Sequence, residues 1–197
     1  MNSPVKYYLA AYNLIAFVFW AVFLFSYISS GLVMNSFNLL LLNIAQGMAV
    51  LEIIHALLKW VKSPVVSTAA QVVSRILVLV LINMFIQNYA QLFVLNTGVV
   101  IVSFAWGITE LVRYSLYFLS LFNRQPALLL WMRYSFFIAL YPLGVTGEWF
   151  VILTPLVANG VSLNAYTVFI LLLLASYAYY FPVLYKYMWA QRKIKLV

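Results

Sequence analysis

Six runs of predominantly apolar residues, at about 9–30, 37–58, 65–86, 91–119, 128–152 and 163–185, take up most of this 197-residue chain. Each is about as long as the roughly 20 residues a helix needs to cross a bilayer's hydrocarbon core. Within that core every backbone N–H and C=O must be satisfied inside its own segment, which leaves the α-helix as the element such runs can form. With 67% hydrophobic and 7% charged residues, the chain has the composition of no soluble globular domain of its size. The expected fold is all-α: an integral membrane bundle of six transmembrane helices, one domain over residues 1–197, with connections too short to hold a soluble domain. The first run is too long for a signal-peptide core and lacks a small-residue cleavage site, so it reads as a retained helix.

The net charge of +8 raises the question of a nucleic-acid partner, and its distribution answers against one. Lys6, Lys59 and Lys62, Arg124, and then Lys186, Arg192, Lys193 and Lys195 flank alternate ends of the six runs, whereas the connections near 31–36, 87–90 and 154–162 carry no charge. Basic loops stay on the cytosolic side, so both termini and both basic loops are expected there. Some of this excess is also available to a phosphorylated ligand. Lys193 and Lys195 near the end of the sequence fit a cytosolic retrieval signal of the endoplasmic reticulum.

Absences narrow the chemistry. Without cysteine there is no thiolate nucleophile, disulfide or iron–sulfur site. A single histidine, His55, cannot build an imidazole-rich iron site and reads as a packing residue. No glycine-rich phosphate loop is present, so no nicotinamide, nucleotide or metal cofactor is expected. What remains is proton transfer by Glu, Tyr, Arg, Ser, Thr and Gln.

Three carboxylates, Glu52, Glu110 and Glu148, and three arginines, Arg75, Arg113 and Arg133, lie inside the apolar runs. A charge at mid-bilayer costs about 2.5–3.5 kcal/mol on insertion scales, so such residues face a bundle interior or cavity. Their numbers allow pairing to neutrality, with Arg75 or Arg133 as partners of Glu52 or Glu110. Gln71 and Arg75 are four apart and are expected on one helix face. Glu52 with His55, and Glu110 with Arg113, repeat an i,i+3 spacing. Trp20, Trp60, Trp131, Trp149 and Trp189 lie mostly toward run ends, as interface anchors do.

The fifth run concentrates the chemistry. Tyr141 and Glu148 are seven residues apart, nearly two helical turns, which sets them on one face about 10.5 Å apart along the axis. Side chains lean toward a helix N-terminus, so Glu148 tilts back toward Tyr141. Arg133 lies eight residues before Tyr141 on nearly the same face. Pro142 removes a helical hydrogen bond, and with Gly144 and Gly147 it leaves room for close packing or an opened turn. By residue count Glu148 falls in the far, lumenal half of the expected run.

These residues carry a family resemblance. Leu140-Tyr141-Pro142-Leu143-Gly144 with Glu148 resembles the signature of the membrane-bound 3-hydroxyacyl-CoA dehydratases of very-long-chain fatty acid elongation, formerly called protein tyrosine phosphatase-like proteins. Tyr12-Asn13-Leu14, Leu51-Glu52-Ile53-Ile54-His55, Ser63-Pro64, Ala70-Gln71-Val72, Ser74-Arg75, the stretch from Ala105 to Tyr114, and Ala190-Gln191-Arg192-Lys193 extend the resemblance along nearly the whole chain. It implies a six-helix enzyme of the endoplasmic reticulum membrane with Tyr141 and Glu148 catalytic, and a long or very-long-chain 3-hydroxyacyl-CoA as substrate. It also implies the condensing enzyme and reductases of the elongation cycle as partners. Arg75, Arg133, Glu52, Gln71 and Gly144 are the expected site support.

Such a dehydration removes a proton from C2 and protonates the hydroxyl leaving C3, a task for two proton-handling groups. The preferred assignment makes Tyr141 the base, its phenolate favoured by a buried arginine, and Glu148 the acid; the reverse assignment stays open. A small transporter or proton channel using intramembrane Glu and Arg, and a noncatalytic scaffold for lipid-synthesis enzymes, are the alternatives from other classes.

Overall fold

The computed structural model describes residues 3–162 and 164–196. Among them the regular elements are all helices: α1 (Ser3–Ser29), α2 (Ser36–Gly47), α3 (Val50–Leu57), α4 (Val65–Tyr89), α5 (Phe93–Ser120), α6 (Ala127–Ser135), α7 (Phe137–Asn159) and α8 (Ala165–Leu196). Six stretches are long and apolar enough to cross a membrane: Ser3–Ser29, Ser36–Leu57, Val65–Tyr89, Phe93–Ser120, Phe137–Asn159 and Thr167–Leu196. These are the features of a membrane protein.

Local signals explain the boundaries. The Asn35 side chain accepts from the Asn38 N–H at 2.8 Å and starts α2. Pro64 and Pro126 precede α4 and α6, where a missing N–H costs nothing. Gly160 ends α7 with φ of 75°, a conformation glycine adopts freely. The second apolar run is split between α2 and α3 at Met48 and Ala49. Both residues keep right-handed helical angles, so the two pieces act as one 22-residue span.

The fifth run departs from expectation. It divides at Phe136 into α6 and α7, and α7 runs to Asn159, seven residues past the expected end at 152. Both Pro142 and Pro155 lie inside α7 instead of ending it. Pro142 deprives the Ile138 carbonyl of its helical donor, and the Tyr185 hydroxyl donates to that carbonyl at 3.2 Å. Glu148 is therefore the middle residue of the 23-residue span Phe137–Asn159, which corrects its expected placement in the far half.

The bundle is organised around α5, which packs against α1 on one side and α7 on another. Missing side chains set the approach of α5 and α7: a Cβ on Gly98 would lie 2.9 Å from the Gly147 carbonyl oxygen, and one on Gly147 would lie 3.0 Å from the Gly98 carbonyl oxygen. Trp20, Phe23, Tyr27, Leu42, Ile82, Val99 and Ile152 fill the interior. Trp20 belongs to that core and is not an interface anchor. Phe25, Val66, Phe93 and Leu172 point outward, as suits a helix surface solvated by lipid and not by water.

Candidate functional site

Two of the three carboxylates are neutralised by arginine. Arg113 on α5 donates through Nη2 to Glu52 Oε1 at 2.6 Å and through Nε to Glu110 Oε2 at 2.6 Å, and Nη1 pairs with Glu52 Oε2. Arg75 on α4 pairs with the other oxygen of Glu110. Hydroxyls of Tyr114 and Tyr12 donate to Glu52 Oε1 at 2.7 and 3.2 Å. Two carboxylates thus face two guanidiniums, in a chain that ties α3, α4 and α5 together and whose lone pairs are well served. His55 extends this region as a packing residue, bonded to the Tyr8 hydroxyl at 3.0 Å and edge-on to Tyr12.

Glu148 differs. It is 9% exposed and makes no ion pair among the described residues. Its Oε1 accepts from the Trp106 indole N–H at 3.0 Å, and its Oε2 accepts from the Tyr177 hydroxyl at 2.8 Å. The same Trp106 ring carries the Arg75 guanidinium over its face, 5.5 Å from the centroid. The indole thus stands between the ion-pair chain and the isolated carboxylate. Tyr141, on the same face of α7, is half-buried, and its ring lies flat on Phe181 (5.1 Å, 1° between planes) and near Tyr185 (6.2 Å, 11°). Its hydroxyl makes no hydrogen bond among the described residues, and no guanidinium lies over its ring.

The other expected site residues separate. Arg75 joins the ion-pair chain, and Glu52 finds its partner in Arg113 instead of Arg75 or Arg133. Arg133, in the last turn of α6, has no carboxylate within salt-bridge distance among the described residues. Gln71 lies on α4 one turn before Arg75, as expected, but is exposed, and its side chain makes no hydrogen bond among the described residues. Gly144 is buried, yet a Cβ there would meet only Ala105 Cβ, at an ordinary 3.6 Å; the close contact belongs to Gly147. Trp106 and Tyr177 were not singled out as site residues by spacing. The repeat Tyr177, Phe181, Tyr185, Trp189 on α8 is the signal that could have found the latter.

Two grooves of about 410 and 220 Å³ lie on the outer side of α5, the first lined by Phe118, Leu119, Phe122 and Arg124 and the second by residues of α1 and α5 including Asn13 and Tyr114. Neither reaches Tyr141 or Glu148. Among the described residues no three His, Asp or Glu side chains converge as metal ligands would. Chemically, the α7 face pairs a buried carboxylate served by neutral donors with a half-buried phenol free to donate.

The family model described as "Protein tyrosine phosphatase-like protein, PTPLA" matches residues 46–197. A mouse protein named very-long-chain (3R)-3-hydroxyacyl-CoA dehydratase 2 is 34% identical over 205 residues, covering 94% of this chain and 79% of its own length. The Caenorhabditis elegans dehydratase hpo-8 is 36% identical over 209 residues, covering 96% and 94%. The Arabidopsis thaliana dehydratase PASTICCINO 2 is 36% identical over 149 residues, covering 73% and 66%. No solved structure matches the chain.

Proposed function

We propose that this chain, which belongs to the protein tyrosine phosphatase-like (PTPLA) family, dehydrates (3R)-3-hydroxyacyl-CoA to trans-2-enoyl-CoA in very-long-chain fatty acid elongation. The observation that carries the reading is Glu148: a carboxylate enclosed at mid-span, held by two neutral donors and no cation, on the helix face that also presents Tyr141.

The geometry favours Glu148 as the base and Tyr141 as the acid, the reverse of the assignment preferred from sequence. That assignment needed a guanidinium beside the Tyr141 ring to favour its phenolate, and the ring's stacking partners are Phe181 and Tyr185. The indole N–H on Glu148 can only donate, so it takes up a lone pair of the carboxyl group in either protonation state. In the reaction Glu148 takes the proton from C2, and the C2–H electron pair becomes the second bond between C2 and C3. The C3–O bond breaks with its pair on oxygen, and Tyr141 gives that oxygen its phenolic proton, releasing water. The proton then on Glu148 returns to Tyr141 before the next turnover. Each proton-transfer group of this kind contributes about 10²–10⁴-fold.

The same reading makes residues 1–197 a single six-span domain with both termini cytosolic, in the endoplasmic reticulum membrane, working beside a condensing enzyme and reductases. The alternating basic connections support that orientation. Mid-span Glu148 lies half a bilayer from the cytosolic surface, so the pantetheine arm of the substrate bridges the remaining distance. The test is a purified-protein assay for interconversion of 3-hydroxyacyl-CoA and trans-2-enoyl-CoA. Tyr141→Phe and Glu148→Gln are each expected to remove most turnover, and the double variant should be little worse than either single. Substantial turnover in either single variant ends the assignment, and protection of a C-terminal tag from protease in sealed microsomes ends the topology.

A further inference from the structure

We propose that Tyr177 is a positioning residue of this site, fixing the Glu148 carboxylate through Oε2 and setting the register of α8 against α7. The inference rests on the reading that Glu148 and Tyr141 do the chemistry, and it adds a residue that the family match does not single out.

Contacts recur at regular intervals along α7 and the antiparallel α8. Moving down α7 and up α8, Glu148 meets the Tyr177 hydroxyl (2.8 Å), Tyr141 meets the Phe181 ring, and Ile138 accepts through its carbonyl from the Tyr185 hydroxyl (3.2 Å). Phe137 meets Trp189 edge-on at 5.7 Å, and the Ser135 hydroxyl accepts from Arg192 Nε at 3.3 Å. Positions 177, 181, 185, 189 and 192 advance by four, four, four and three, the spacing of a single helical face. The neighbouring tyrosines on α8 turn away: Tyr179 and Tyr180 are 66% and 58% exposed. Helix α8 is the least enclosed of the six spans, and this stripe is one line of its contact with the bundle, beside the buried Thr167 and Ile170.

Along that stripe the Tyr177 contact is the only one to a carboxylate. Trp106 comes from α5 and holds Oε1, and Tyr177 comes from α8 and holds Oε2. With both donors in place the carboxyl group is fixed in its plane and its rotation is blocked. Without the Tyr177 hydroxyl it is held at one oxygen and is free to swing about the indole contact, losing its aim at a substrate carbon placed beside Tyr141. Misplacement of a reacting group by about 1 Å is enough to slow turnover strongly. Phe181 and Tyr185, in register with the same contact, keep the Tyr141 ring flat against α8.

The experiment uses the purified full chain in detergent, comparing Tyr177→Phe with Tyr179→Phe and Tyr180→Phe. Phenylalanine keeps the ring and its packing, so melting temperature and KM are expected to stay near wild type. kcat should fall about 10- to 100-fold, the value of one hydrogen bond to a charged group, and the pH profile of kcat should change shape instead of dropping in parallel. Both control variants are expected to turn over like the parent protein. A Tyr177→Phe variant with wild-type kcat overturns the inference. If that variant does not fold, 3-fluorotyrosine placed at 177 keeps shape and hydroxyl and alters only donor strength; an unchanged kcat and pH profile there overturns it equally. Glu148→Gln is run alongside. Retained dehydration in that variant sinks the underlying catalytic reading, whereas its loss beside a wild-type Tyr177→Phe sinks the role of Tyr177 alone.

Discussion

The bundle holds its carboxylates in two contrasting settings. Glu110 pairs with Arg75 and Arg113, and Arg113 also with Glu52, in a linear chain of ion pairs, and Glu148, two turns of α7 beyond Tyr141, has an indole and a phenol for company. Taking a charge out of water costs several kcal/mol, and a well-placed cation with further hydrogen bonds offsets that cost. A carboxylate so compensated is committed: its lone pairs are occupied and a substrate has little to gain from it. Glu148 lacks this compensation, so a change in its proton count is the natural response to a nearby reacting group. On the proposed reading, the location of the guanidiniums separates two structural acids from one chemical one.

Exchanging the two settings by mutation tests this division. The largest expected effect is on turnover: Glu148→Gln should lose about 10³-fold or more in dehydration with little change in melting temperature, because an amide can serve both neighbouring groups once the Tyr177 hydroxyl accepts. Equal losses from Glu110→Gln and Glu148→Gln, without destabilisation in the former, would erase the distinction. Next comes Arg113→Ala, which strands Glu52 and Glu110 and is expected to destabilise the fold by about 3–5 kcal/mol, read as lost expression and a lowered melting temperature in detergent. A stable, well-expressed Arg113→Ala protein would mean the ion-pair chain is dispensable. Smaller still is Gly147→Ala, whose Cβ would press within 2.9 Å of Ile101 and Val102. A cost of about 1–3 kcal/mol is expected, with a drop in kcat as α5 and Trp106 back away from Glu148. The smallest effect belongs to Gln71→Ala, within about 0.5 kcal/mol of the parent and with unaltered turnover; a clear loss of activity there would give exposed Gln71 a role that its contacts do not.

Much of this architecture is legible in the chain because long apolar runs have few alternatives in lipid. The runs at 9–30, 65–86 and 91–119 correspond closely to α1, α4 and α5. The interruption at Met48 and Ala49 carries no proline or charge to announce it and arises from three-residue hydrogen-bond spacing, as in Leu51 N–H to Met48 O. Pro155 lies within α7 past the expected end of the run: proline ends helices in water, whereas inside a bundle neighbouring groups accommodate it. The i,i+3 spacing of Glu110 and Arg113 did correspond to an ion pair, but which other carboxylate Arg113 would reach depends on where α3, packed on α4, lies relative to α5, and that is a tertiary fact. The pairing of Trp106 and Tyr177 with Glu148 is tertiary in the same sense, although the repeat Tyr177, Phe181, Tyr185, Trp189 marks the α8 face on which Tyr177 lies. The sequence run Tyr177-Ala178-Tyr179-Tyr180 offers three phenols, and only the docking of α8 selects the first.

The contact between Gly98 and Gly147 acts as a fulcrum. With no side chain on either residue, α5 and α7 approach backbone to backbone there, so any rocking of one helix on the other would pivot at this point. Glu148 is next to the pivot and barely moves. Tyr141 lies six residues away, about 9 Å along the axis at 1.5 Å per residue, where a tilt of about 6° displaces it by about 1 Å. The two groups therefore sit on unequal lever arms. A displacement of α7 about this point would leave the carboxylate close to α5 and carry the phenol further.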